Sequence, residues 1–216
     1  MDKALREEIT QVCYYHKPLN TVQALLEEGA DVNYFSGHQS LLLFACENGI
    51  RQGAPEGHGV NNINPALIKL LLDAGANPNG LTTQDSQTPL YVLVRNSTDH
   101  WKRTNRTILE VIRELIAKGV DVNLHGRKDQ RKSLHAPGRD GDLPISYAVF
   151  LQNNELFSTL LAAGANPSGV NYSGNYTIKQ YLACNLQPHS HYPKIKVYVD
   201  NATKPIYDKL VEIGAQ

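Results

Sequence analysis

Cysteine is scarce in this chain: Cys13, Cys46 and Cys184 are the only three among 216 residues, an odd number placed far apart. That spacing excludes a disulfide framework and points to reduced thiols. Net charge is absent too, with 21 Lys+Arg against 21 Asp+Glu, so no overall field draws the protein to nucleic acid or a membrane surface. Any electrostatic function must be regional. Long apolar runs are missing: the longest, residues 41 to 46, falls far short of the roughly 18 needed to span a bilayer. An integral membrane protein is thereby excluded. The first eight residues, MDKALREE, are charged and amphipathic with no apolar segment or small-residue cleavage site after them, so a cytoplasmic location is expected. The five N-x-[ST] triplets at Asn96, Asn105, Asn171, Asn175 and Asn201 then read as chance in an Asn-rich chain. With 41% hydrophobic and 19% charged residues, the composition suits one globular domain.

What the sequence does contain is a repeat. Residues 24–33, ALLEEGADVN, return as 70–79, LLLDAGANPN, as 114–123, ELIAKGVDVN, and as 159–168, TLLAAGANPS; 209–216, KLVEIGAQ, is a truncated fifth copy. Each reads as the end of an amphipathic helix stopped by a C′ glycine, where positive φ is cheap. Pro78 and Pro167 forbid further helix. The glycines, at 29, 75, 119, 164 and 214, lie 46, 44, 45 and 50 residues apart.

These copies resemble the ankyrin repeats, which carry T-P-L-H-x-A in a first helix and L-L-x-x-G-A-D-V-N after a second. The first signature survives as Thr88-Pro89-Leu90, as residues 143–148, LPISYA, and as residues 40–45, SLLLFA, with Thr177-Ile178 a weak fifth version. The family histidine is replaced by Tyr91, Leu43 and Ser146. The resemblance covers nearly the whole chain and implies an all-α ankyrin-repeat solenoid of about five helix-turn-helix units with extended fingers and inserted loops. It would form a single domain over 1–216, with units of about 1–33, 34–79, 80–123, 124–168 and 169–216. Ordinary units run about 33 residues, so each unit here holds an insertion. Spacing puts it between the helices of units two, three and five, and before the first helix of unit four. Leu67, Leu70, Leu71 and Ala74, and Ile108, Val111, Ile112, Leu115 and Ile116, recur at helical spacing and should be core. A helix from about Leu5 to Tyr15, with Lys3, Arg6, Glu7 and Glu8 as a charged outer face, should cap the start.

No motif for catalysis stands out. Residues 53 to 59, GAPEGHG, lack the Lys-Ser/Thr of a phosphate loop and read as an inserted loop. Cys184, His189 and His191 supply three of the four ligands that a tetrahedral metal site wants, with no partner Cys-x-x-Cys. No metal, cofactor or catalytic residue is therefore expected, and His16 and His38 suit surface or capping roles. Residues 194 to 200, KIKVYVD, alternate like a strand, which we expect to pair internally rather than with a partner.

Charge is distributed unevenly. Residues 95 to 139 hold eleven basic and five acidic residues, a net +6 balanced by −6 elsewhere. Within them, Trp101 sits beside Lys102 and Arg103 in one insertion, and Arg127, Lys128, Arg131 and Lys132 open the long finger. Trp and Arg are the commonest interface hot spots, so Trp101 and Arg103 mark a contact surface for a partner with acidic character; a solvated loop with Trp101 packed on the helices weighs about equally. Nucleic acid ranks lower, because the rest of the surface would repel a polyanion. The fingers add Tyr34, Phe35 and His38; Gln84, Asp85 and Gln87, followed by Tyr91; and Tyr172 and Tyr176. Tyrosine suits adaptable binding surfaces, although it could also brace a finger. The resemblance implies a monomeric, non-catalytic module that binds a partner protein through its concave face, fingers and inserted loops. Two settings fit: an immunity protein neutralising a co-encoded toxin, or an effector or adaptor engaging a host or cellular protein. An enzyme with a site built on the insertions ranks below both.

Overall fold

The computed structural model describes residues 1–37, 39–51, 63–80, 87–98, 105–124, 143–168 and 204–214. These fall into two compact units, one of residues 1–96 with 106–121, the other of residues 97–105 with the chain from 122 on. Among the described residues, helices dominate: α1 (Asp2–Tyr15), α2 (Asn20–Glu27), α3 (Leu41–Arg51), α4 (Pro65–Asp73), α5 (Pro89–Arg95), α6 (Arg106–Ala117), α7 (Pro144–Phe150), α8 (Asn154–Ala162) and α9 (204–212). Their only strands are β1 (Phe35–Ser36) and β2 (Gln39–Ser40). The coarse expectation of an all-α fold therefore holds.

In the first unit, α1, α3 and α5 pack in succession while each lies against its own second helix, α2, α4 or α6, and α4 packs on α6. Apolar residues three and four apart explain the arrangement. Leu5 and Ile9, Leu67 and Leu71, and Ile108 and Ile112 are all 0 or 1% exposed. Each such side chain stabilises the packed state by about 1.5–3 kcal/mol relative to exposure. α5 and the first half of α3 are nearly all apolar, and residues 41 to 46 and 90 to 94 are buried on every side, as helices flanked by neighbours must be.

The helix ends follow from local chemistry. Thr88 Oγ1 accepts from Tyr91 N–H at 3.0 Å with Pro89 opening α5, and Asn64 Oδ1 accepts from Leu67 N–H at 3.0 Å with Pro65 opening α4. Ser40 Oγ does the same for α3, accepting from Leu43 N–H at 3.2 Å. At the other ends Gly29, Gly75, Gly119, Gly164 and Gly214 take φ of 91°, 91°, 81°, 88° and 68°. Gly29 N–H donates to Leu26 O and Ala30 N–H to Leu25 O, the paired bonds of a Schellman stop, and the pattern repeats at Gly75, Gly119 and Gly164.

In the second unit α7 packs on α8, whose Leu156, Phe157 and Leu160 are fully buried, and Ile206 and Leu210 of α9 are buried as well. Three residues separate α7 from α8, whereas ten separate α5 from α6 and thirteen separate α3 from α4. The long segments from α3 to α4 and from α5 to α6 thus lie where the spacing of the glycines puts insertions.

Several expectations need correction. α1 starts at Asp2 rather than near Leu5. Arg6 is not on a charged outer face: it is half-buried with its guanidinium 3.0 Å from the centre of the Phe44 ring, because α3 packs on that side of α1. Ala74 is exposed and Leu70 and Ile116 are half-buried, since the last turn before each glycine rotates away from the neighbouring helices.

Candidate partner-binding surface

The surface starts from the turns that follow the C′ glycines. Asn33 Nδ2 donates to Gly75 O at 3.1 Å and its Oδ1 accepts from Asn77 N–H at 2.8 Å, so one carboxamide bridges a turn to its successor. Asn79 Oδ1 accepts from Asp121 N–H at 2.8 Å in the same way. At the chain start Asp2 Oδ1 accepts from Asp31 N–H at 2.9 Å. In the second unit Asn123 repeats the Asn33 pair, to Gly164 O at 3.1 Å and from Asn166 N–H at 2.7 Å. In three of these turns the preceding side chain folds back, Asp31 Oδ1 accepting from Asn33 N–H at 2.9 Å, Asn77 Oδ1 from Asn79 N–H at 2.9 Å and Asn166 Oδ1 from Ser168 N–H at 3.0 Å.

On this base stands the first finger. β1 and β2 pair antiparallel, Phe35 opposite Ser40 and Ser36 opposite Gln39, with Gly37 at φ 70° in the turn. Gln39 Nε2 donates to Glu47 Oε2 at 3.0 Å and ties the finger to α3. Phe35 is 42% exposed, while Tyr34 beside it is half-buried. An exposed phenylalanine on a tethered hairpin is a rigid apolar contact. At the second finger Gln87 is half-buried, directly before the Thr88 cap. Tyr91 corrects the sequence reading: it is 4% exposed, because α5 is enclosed by α3 and α6, and its ring belongs to the packing with Arg95 6.0 Å away. His38, Gln84, Asp85, Trp101, Arg103, Arg127, Lys128, Arg131, Lys132, Tyr172 and Tyr176 lie outside the described residues, as do Cys184, His189, His191, the 53–59 segment and the 194–200 segment.

The mount of one insertion is described. Asn105 N–H donates to Ser97 O at 2.7 Å, which closes the ends of the segment carrying Trp101 and Arg103. Asn153 Nδ2 donates to Ser97 Oγ at 3.4 Å while Asn153 Oδ1 caps α8 through Leu156 N–H at 3.0 Å. Both Ser97 and Asn153 are buried. Sequence reasoning missed them, as it missed Arg6 and the Gln39–Glu47 bond; a Ser or Asn outside a motif gives no signal of the group it will meet.

Opposed charges join α4 to α6: Lys69 lies 3.2 Å from Asp73 and 3.3 Å from Glu114, and Lys118 lies 2.7 Å from Asp73. The Lys118 contact, with that of Lys69, holds the Asp73 carboxyl below its usual range; the bonds to Asp73 and Glu114 raise the Lys69 ammonium. Under α1, burial pushes the Cys13 thiol up to about 11 against the opposing pull of Arg6, and burial also raises Cys46. Burial lowers Arg6, opposed by Cys13 and Tyr14. A protonated buried thiol is a poor nucleophile and metal ligand, so Cys13 and Cys46 are packing residues. Among the described residues no group of three or more His, Cys, Asp or Glu could hold a metal ion, and no helix is long and apolar enough to cross a membrane. No family model matches the chain, and no curated protein matches it.

Proposed function

We propose that the protein is a non-catalytic binding module of ankyrin-repeat type, a solenoid that grips a partner protein with acidic contact character through its fingers, concave face and insertions. The observation that carries the reading is the bridged turn. The Asn33 and Asn123 carboxamides use the same pair of bonds ninety residues apart, and glycine-stopped helices recur at the spacing of the sequence repeat. Such a repeat commits its inner residues to stacking and leaves the variable segments for recognition. Phe35, exposed on a tethered hairpin, supplies an apolar anchor, and the basic residues of 95–139 supply the charge.

Affinity capture from native lysate, with and without nuclease, tests the reading. One stoichiometric protein is expected to survive nuclease and to be lost with Phe35→Asp, a change that leaves the melting temperature nearly unaltered because the ring is exposed. Capture abolished by nuclease would replace the protein partner with a nucleic acid. In the immunity setting the captured protein is the product of a neighbouring gene and is inhibited one to one.

A further inference from the structure

Asn-Gly, the dipeptide in which a main-chain nitrogen has least shielding from the preceding carboxamide, occurs twice, at Asn48-Gly49 within α3 and at Asn79-Gly80. The second lies in a bridged turn, and each member is fixed there by packing. Asn79 Oδ1 accepts from Asp121 N–H at 2.8 Å, while a Cβ on residue 80 would lie 2.6 Å from Ser40 Oγ. Ser40 Oγ cannot simply turn away, since it accepts the Leu43 N–H that starts α3. The other bridging asparagines are followed by Tyr34 and Leu124, whose bulk hinders attack by the next nitrogen. Asn77, in the same turn, precedes Pro78, which has no N–H to react.

We propose that Asn79-Gly80 is a site of spontaneous covalent modification, gated by opening of its turn. The Gly80 nitrogen attacks Asn79 Cγ, its proton leaves with the carboxamide nitrogen as ammonia, and a five-membered imide remains. Water then opens the imide at either carbonyl, giving aspartate or isoaspartate at position 79. No oxidant or reductant is involved. The gate is the turn itself: Gly80 N–H donates to Asn77 O at 3.0 Å and the Asp121 N–H holds the carboxamide oxygen, so attack waits until both bonds open. The aspartate product keeps an acceptor for Asp121 N–H. The isoaspartate product inserts a methylene into the main chain between Cα of residue 79 and the Gly80 nitrogen, which shifts the Gly80 N–H off Asn77 O and breaks the turn.

Intact protein and a synthetic peptide of residues 70–95 are aged together in warm, mildly alkaline buffer, and the tryptic fragment 70–95 is read by mass and by isoaspartyl methyltransferase labelling. Conversion at Asn79 is expected to be at least about tenfold slower in the folded chain than in the peptide and to reach the peptide rate in denaturant. Equal rates in buffer overturn the gate. No conversion in the folded chain over roughly a hundred peptide half-lives overturns the site, since that is beyond the opening expected of a surface turn. Asn79→Asp is expected to melt with the unaged protein and the isoaspartate fraction below it; an isoaspartate fraction melting with Asn79→Asp overturns the assigned consequence.

Discussion

Two glycines five residues apart, Gly75 and Gly80, show how residue-scale demands differ. Gly75 has φ 91° and open space where a Cβ would go, so Gly75→Ala carries only the left-handed backbone penalty, about 1–2 kcal/mol. Gly80 lies against Ser40, so Gly80→Ala should cost about 1 kcal/mol by displacing the Ser40 cap. Urea denaturation of Gly80→Ala alone and combined with Ser40→Ala checks the distinction: the two changes should be less than additive, whereas Gly75→Ala with Ser40→Ala should be additive. The Cys13 thiol makes a pH prediction at the same scale. Its proton is held up to about pH 11 in the native state against 9.0 ordinarily. Below pH 9.0 both states keep the proton and the site adds no pH dependence. Between there and about 11 the unfolded chain releases it first, so stability falls as pH rises, by on the order of 2 kcal/mol. Cys13→Ala should lower stability at neutral pH but flatten that decline in denaturation curves taken across the alkaline range.

Elements are joined by side chains whose value depends on what they leave behind when removed. Asn33→Ala deletes the bonds to Gly75 O and Asn77 N–H, and a net loss of roughly 1–2 kcal/mol is expected from two partly exposed hydrogen bonds. Asn33→Asp keeps the acceptor for Asn77 N–H but sets a carboxylate against the Gly75 carbonyl, so it should also destabilise at neutral pH and recover on acidification; urea midpoints at two pH values read both. The helix stops were legible because only glycine tolerates φ near 90° at this cost, and a fixed spacing betrays it. Thr88 and Pro89 were legible as a start for a similar reason, a local requirement met by few residue types. Burial was less so. Arg6 and Tyr91 look like surface residues by type, and what encloses them, α3 for Arg6 and α3 with α6 for Tyr91, is a partner that no local pattern names. The Ser97–Asn153 mount joins residues 56 apart and was illegible for the same reason.

At the scale of the whole molecule, zero net charge conceals a segregation of sign, +6 over residues 95–139 and −6 over the remainder. Part of this charge is paired, in places across the division, since Glu114 and Lys118 belong to the 95–139 segment. Asp73 and Glu114 are engaged by Lys69 and Lys118, while Lys204 pairs with Asp208 and Lys209 with Glu212. Such exposed pairs contribute little to stability, and their effect fades with salt. A partner drawn by the basic segment would therefore be steered by a local field that overall neutrality does not cancel at distances below about 10 Å in ordinary buffer. Reversing Arg127, Lys128, Arg131 and Lys132 together to Glu should slow association with that partner by roughly tenfold or more, with a smaller change in dissociation. The wild-type association rate should fall as ionic strength rises, and the reversed variant should lose most of that dependence. Thermal stability should stay within about 0.5 kcal/mol per site, as for surface substitutions remote from packing. Surface plasmon resonance across a salt series, with calorimetry on the same preparations, separates the outcomes. A variant that binds at the wild-type rate with unchanged salt dependence would remove the basic finger from the interface and leave recognition to the apolar contact at Phe35.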